Sequence, residues 1–166
     1  MEKSDEYFMR LALDEARAAG ERGETPIGAV IVRDGEVVSS AGNARERDKN
    51  ALAHAETAAI SKACEVLGGW RLVGCTLYVT LEPCPMCAGA IMNARVPRVV
   101  YGARDEKGGA LGGLFNLFDE AVNHKPEITG GVLGEECARM LRDFFRERRA
   151  GGGFDPAKEW KERQGR

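Results

Sequence analysis

The sequence predicts an α/β domain on a mixed sheet, and three observations carry that prediction. Two β-rich runs, residues 27–32 and 36–40, flank Asp34-Gly35, a dipeptide suited to a two-residue hairpin turn, so one strand pair is antiparallel. A third β-rich run, residues 76–81, is followed by a helical stretch and then by Val99-Val100-Tyr101-Gly102. Strand, helix and strand in that order imply a crossover and a parallel pair. Helical stretches alternate with these runs, which suits helices layered on a sheet.

Each element has its own warrant. Ser4 or Asp5 can cap a first helix to about Ala19, with Phe8, Leu11, Ala12 and Leu13 on its apolar side and Gly20 as its stop. Gly23-Glu24-Thr25-Pro26 reads as a loop, and Gly42-Asn43 ends the second strand. Arg45-Glu46-Arg47-Asp48-Lys49-Asn50 reads as a solvated loop, with a substrate rim as the sharper alternative because it leads into His54. A second helix runs from His54 to about Leu67, where Gly68-Gly69 stops it. The cysteine-bearing helix runs to about Ala94. Lys107-Gly108-Gly109-Ala110-Leu111-Gly112-Gly113 lacks the phosphate-loop pattern and reads as a flexible loop. A short helix is expected over residues 114–118 and a fifth strand at Glu127-Ile128-Thr129. The last helix spans about Gly134 to Arg149, with Met140, Leu141, Phe144 and Phe145 on its apolar side. Residues 1–150 then form one domain, closed by Gly151-Gly152-Gly153, and residues 151–166 a charged, frayed tail with Trp160 as an anchor.

Composition narrows the class. The 166 residues fit one domain, and 43% are apolar, enough for a substantial core. A net charge of −2 gives no sign of a generally basic nucleic-acid binder. The charged N-terminus is no signal peptide, and no apolar run approaches membrane-spanning length, so the protein reads as soluble and cytoplasmic. Of five cysteines, Cys64, Cys75 and Cys137 have no disulfide-like spacing and are expected to be buried and reduced.

The chemistry is concentrated between His54 and Cys87. His54-Ala55-Glu56 precedes a helix, a strand and Pro83-Cys84-Pro85-Met86-Cys87. One histidine and two cysteines are three ligands suited to Zn2+, the number that leaves a fourth position open for water. Cys84 and Cys87, three apart, share a helical face, and a helix N-terminus favours thiolates. Pro85 suits the first turn of that helix. Glu56 is placed as a proton carrier, and small Ala55 lets a ligand approach the backbone. A lone Cys-x-x-Cys would fit a redox pair or half of a structural zinc site, but neither Cys64 nor Cys75 has a partner at ligand spacing. The combined pattern is the signature of zinc-dependent nucleobase deaminases. Asn43, a short amide at a strand end before this segment, is either a turn residue or a substrate contact that donates and accepts.

Further segments sharpen the resemblance. Thr25-Pro26-Ile27-Gly28-Ala29-Val30, Ala53-His54-Ala55-Glu56, the run from Leu77 to Ala90, Val100-Tyr101-Gly102-Ala103-Arg104-Asp105, Asn123-His124 and Asp143-Phe144-Phe145 closely resemble the bacterial tRNA-specific adenosine deaminases of the cytidine deaminase-like superfamily. The likeness covers about Tyr7 to Arg149. It implies a three-layer α/β/α fold with a central five-stranded mixed sheet, and a homodimer. It implies that His54, Cys84 and Cys87 hold zinc and that Glu56 shuttles protons. It implies substrate contacts at Asn43 and His124, and Asp105 beside the RNA backbone. The family's Asp-Pro-Thr-Ala before the histidine is Asn50-Ala51-Leu52-Ala53 here.

The expected reaction is hydrolytic deamination of adenosine to inosine at the wobble position of a tRNA anticodon stem-loop. Glu56 would act first as base and then as acid. Arg142, Arg146, Arg148 and Arg149, with Lys158, Lys161 and Arg163 beyond, are either a phosphate-contacting patch or a helix C-terminus complementing its dipole. Two other classes compete: a deaminase of a free base such as guanine or cytosine, and a zinc-binding RNA module without catalysis. Asp105 and Asn123-His124 count against the first, and Glu56 against the second.

Overall fold

The computed structural model describes residues 2–151 and 156–165, of which 156–159 are described by their backbone only. Gly152, Gly153 and the side chain of Lys158 therefore lie outside the described residues. The elements run α1 (Asp5–Glu21), β1 (Gly28–Arg33), β2 (Glu36–Gly42), α2 (Ala55–Leu67), β3 (Cys75–Leu81), α3 (Pro85–Asn93), β4 (Arg98–Ala103), a 3-10 turn (Leu117–Asp119), β5 (Glu127–Thr129), α4 (Gly134–Ala150) and α5 (Pro156–Gln164). The five strands form one sheet in the order β2-β1-β3-β4-β5. β1 is antiparallel to β2 and β3, whereas β3, β4 and β5 are parallel. The sheet is mixed, as expected from the hairpin and the crossover.

Alternation along the strands splits the core into two layers. Ala29, Ile31, Leu77, Val79 and Val99 face α2 and α3, where they meet Ala59, Ala63, Ala88 and Ile91. Val30, Val32, Tyr78 and Val100 face α1 and α4, where they meet Phe8, Met9, Ala12 and Cys137. The result is a three-layer α/β/α arrangement. Asp34 and Gly35 both take positive φ, 53° and 75°, the geometry of the type I′ hairpin that their identity predicted.

Gly28 shows how closely the layers approach. A Cβ there would overlap the Ala12 carbonyl oxygen and come within 2.5 Å of the Ala16 nitrogen, both backbone atoms of α1. Neither can yield without moving the helix. Gly28→Ala is therefore expected to cost about 3 kcal/mol, at the upper end for overpacking. Urea unfolding would measure it, and a loss within about 0.5 kcal/mol would show that α1 can shift.

Several expectations are corrected. α1 runs through Gly20 to Glu21, and Gly23, at φ 84°, takes the left-handed position beyond it. Cys84 is not helical. It caps α3 in an extended conformation, φ −73° and ψ 173°, because Pro85 disfavours helical geometry in the residue before it. Cys64 is only half-buried, while Cys75 and Cys137 are buried. Trp160 is 63% exposed, and it lies in the helix α5. Ala88 and Ile91, on the cysteine-bearing helix, lie in the core. Phe145, read as core-facing, is 43% exposed. No described helix is long and apolar enough to cross a membrane.

The glycine-rich segment is not a loose loop. Glu82, 2% exposed, accepts hydrogen bonds from the backbone amides of Asp105, Leu111 and Gly113 at 3.2, 3.0 and 2.9 Å. Ala110 donates to the Pro83 carbonyl at 2.8 Å, which ties the segment to the turn that carries Cys84. A Cβ at Gly113 would lie 2.6 Å from Glu82 Oε1, so glycine serves here for close approach rather than for mobility.

Candidate active site

Two helix N-termini converge beyond the C-terminal end of β3. His54 caps α2 and Cys84 caps α3, each in extended backbone and neither using its side chain in a capping bond. Both side chains are thus free to point at a common centre. Glu56 sits in the first turn of α2, and Cys87 lies one turn into α3. The positive ends of the helices favour negative charge there.

His54 Nδ1 lies 3.7 Å from Cys84 Sγ and 3.5 Å from Cys87 Sγ. One donor atom from each of the three residues lies within 4.8 Å of the other two, and no other such group of three occurs among the described residues. These residues could hold a metal ion. Cys84 is pulled down to about 4, first by its hydrogen bond with Cys87 and then, against burial, by His54. Cys87 is pushed up by the same bond and by burial. His54 is raised, first by its hydrogen bond with Cys84. The shared hydrogen bond thus favours a thiolate at Cys84 and a thiol at Cys87. Glu56, 4% exposed, is raised from the ordinary carboxylate value mainly by burial. A carboxyl held above its usual range can keep a proton and return it.

A cavity of about 220 Å³ opens onto this cluster, lined by Thr25, Ile27, Asn43, Arg45, His54, Ala55, Glu56 and Phe145. Larger depressions lie between α1 and α4 and beside the start of α1, at about 480 and 680 Å³. Neither contains a cluster of metal donors, so chemistry rather than size selects the small cavity. Asn43, 6% exposed, accepts from the Arg45 amide at 3.2 Å through Oδ1. Ala55 is fully buried beneath the cavity wall.

Asp105 and His124 are not brought to this cavity. Asp105 Oδ1 accepts from Lys107 and Gly108 in the turn after β4. His124 Nε2 donates to the Val96 carbonyl at 2.6 Å. Of the four α4 arginines read as a candidate patch, three have partners in the chain: Arg142 with Glu135, Arg146 with Asp143, and Arg148 with the Gly23 carbonyl and the Phe144 ring. Thr25, Ile27, Arg45 and Phe145 line the cavity without having been singled out as site residues. Phe145 carried a partial signal, since Asp143-Phe144-Phe145 is one of the segments that carry the family resemblance.

Comparison with known proteins gives the family. Residues 3–149 match the MafB19-like deaminase model. A protein of Bacillus subtilis (strain 168) named tRNA-specific adenosine deaminase is 56% identical over 146 residues, covering 87% of this chain and 91% of that one. A structure from studies of A-to-I editing by tRNA:A34 deaminases at the wobble position of transfer RNA superposes with TM-score 0.77 at 50% identity, covering 81% of this chain and 99% of that one. Guanine deaminase from Bacillus subtilis superposes with TM-score 0.60 at 43% identity, covering 61% of this chain and 66% of that one. A match of this extent, over the residues that build both the sheet and the His-Cys-Cys cluster, means that the chain belongs to the MafB19-like deaminase family and, within it, groups with the tRNA-specific adenosine deaminases.

Proposed function

We propose that this protein deaminates adenosine to inosine at the wobble position of a tRNA anticodon, with zinc held by His54, Cys84 and Cys87. One observation carries the reading: a buried carboxyl, Glu56, stands beside a nitrogen–sulfur–sulfur donor set at the base of a cavity. Tetrahedral zinc with Zn–S about 2.3 Å and Zn–N about 2.1 Å would space its sulfur and nitrogen ligands about 3.6 Å apart. The nitrogen–sulfur distances of 3.7 and 3.5 Å fit that spacing. When bound, such an ion lowers the pKa of a coordinated water towards neutrality.

The chain's own residues supply the rest. Glu56 accepts a proton as the water oxygen adds to C6 of the purine and passes it to N1; it then takes the proton of the new C6 hydroxyl and passes it to the amino group, which leaves as ammonia while the C6 carbonyl forms. Its raised proton affinity suits both directions of transfer. Ala55 and Ile27 give the base an apolar wall, and Phe145 offers a ring face for stacking. The Asn43 amide nitrogen has no partner among the described residues and is available as a donor. So small a cavity takes a base but not a stem-loop. Binding energy must come from phosphate and sugar contacts outside it, with the exposed Arg45 at its rim as a first candidate. Asp105 and His124 would serve as outer contacts, remote from the reacting base. A tRNA substrate also implies that the protein works in the cytoplasm.

The test is substrate choice. An anticodon stem-loop with adenosine at the wobble position should yield inosine, while the same stem-loop with guanosine there should give no product. Free guanine or free adenosine processed as efficiently as the stem-loop would favour a small-molecule deaminase, a reading that the likeness to guanine deaminase keeps in play. A homodimer is part of the proposal. Ala90 and Met92 of α3 are only half-buried, and Leu114 and Phe115 are exposed, which leaves apolar surface for a second copy to cover. Light scattering at micromolar concentration should give twice the chain mass of 18.0 kDa, and a monomer mass would reject the dimer.

A further inference from the structure

Three carboxylates are buried among the described residues: Glu24, Glu56 and Glu82. Burying a carboxylate is costly unless hydrogen bonds or a cation compensate it. Glu56 belongs to the site, and Glu82 holds the glycine-rich segment. Glu24 has no task in the chemistry described above. It is 2% exposed, and the partners of its carboxylate are backbone amides: Arg47 donates to Oε1 at 2.7 Å and Glu46 to Oε2 at 3.1 Å.

Those amides lie in the turn between the end of β2 and the segment before His54. The turn is further closed by Asp48 donating to the Ala44 carbonyl at 2.9 Å and Asn50 to the Arg45 carbonyl at 3.1 Å. Ala44 donates to the Ala53 carbonyl at 3.0 Å, which ties the turn's beginning to the residue before His54. Within this frame the Arg45 amide points at Asn43 Oδ1. That contact decides which way the Asn43 side chain faces. An N–H must meet the oxygen of the amide and not its NH2 group, so the nitrogen is left for the cavity. A purine presents ring nitrogens as acceptors, and a donor is what it needs.

We infer that Glu24 is a positioning residue for the reaction: its carboxylate fixes the turn at Glu46 and Arg47 so that the Arg45 amide orients Asn43 with its donor toward the substrate. The inference rests on reading the cavity as the adenosine pocket. It reaches beyond that reading, because Glu24 touches neither the substrate nor the metal donors.

A double-mutant cycle with the adenosine stem-loop tests it. Glu24→Gln keeps the size of the side chain but sets an NH2 group against one of two N–H donors. Glu24→Gln alone is expected to lower kcat/KM by about 10-fold, the worth of one well-placed hydrogen bond. In an Asn43→Ala background the same change should cost less than about 3-fold, because the group through which it acts is gone. Equal losses in both backgrounds would reduce Glu24 to a purely structural role and overturn the inference. Where Glu24→Gln does not fold, hydrogen exchange on the wild-type protein decides. The amides of Glu46 and Arg47 should exchange at least about 100-fold more slowly than in an unstructured chain, and exchange at the unstructured rate would remove the anchor. Wild-type turnover of the stem-loop tests the functional reading separately, so failure of one is distinguishable from failure of the other.

Discussion

Glu56→Ala is expected to lose deamination by at least about 10³-fold while retaining its metal. General acid–base catalysis by one positioned group contributes about 10²- to 10⁴-fold. Glu56 is expected to lie at the upper end, because the same carboxyl must take a proton in one step and return it in the next. Its side chain is not among the three clustered metal donors. Metal content should therefore stay near one ion per chain. The fold should also survive, since burial already disfavours this carboxylate and its removal relieves that cost. Inosine formation under single-turnover conditions, with metal analysis of the same sample, checks both halves. Substantial turnover would remove the proton shuttle from Glu56. Loss of metal would make the glutamate a ligand.

Cys84→Ala should behave in the opposite way, losing metal first and activity as a consequence. Cys84 sits at the N-cap of α3 with no capping bond of its own, so alanine there breaks no hydrogen bond of the helix. Two donors, His54 and Cys87, would remain, too few for a site that must also keep a position open. The metal content should fall below about a tenth of an ion per chain after dialysis, and deamination should fall to background. The melting temperature should drop as well, because a ligand that binds only the folded chain stabilises it by an amount that grows with the logarithm of its free concentration over its Kd. Chelation of the wild-type protein should reproduce the lower melting temperature. A Cys84→Ala protein with wild-type metal content would sink the assignment of Cys84 as a ligand.

These two predictions rest on residues that the sequence already singled out, whereas the Glu24 inference does not. The difference lies in the range of the interactions. The donor set is legible because each part of it sits at the start of a helix with a local signal. Pro85 marks the start of α3, and His54-Ala55-Glu56 opens a run of good helix formers. The hairpin at Asp34-Gly35 and the parallel crossover from β3 to β4 are legible for the same reason, since turn chemistry and alternation are written within a few neighbouring residues.

What only the tertiary structure decided involves partners far apart in the chain. Glu24 reads as a loop residue until the amides of Glu46 and Arg47, more than twenty positions away, are folded against it. Glu82 reads as one more letter before Pro83, yet its carboxylate gathers Asp105, Leu111 and Gly113 and turns an apparently flexible glycine run into an ordered one. Phe145 and Phe144 carry the same side chain at adjacent positions, and only the packing of α4 determined which of them lines the cavity. Backbone amides look alike in any sequence. Which of them a buried carboxylate will satisfy is settled when the sheet and helices bring the loops together, and not before.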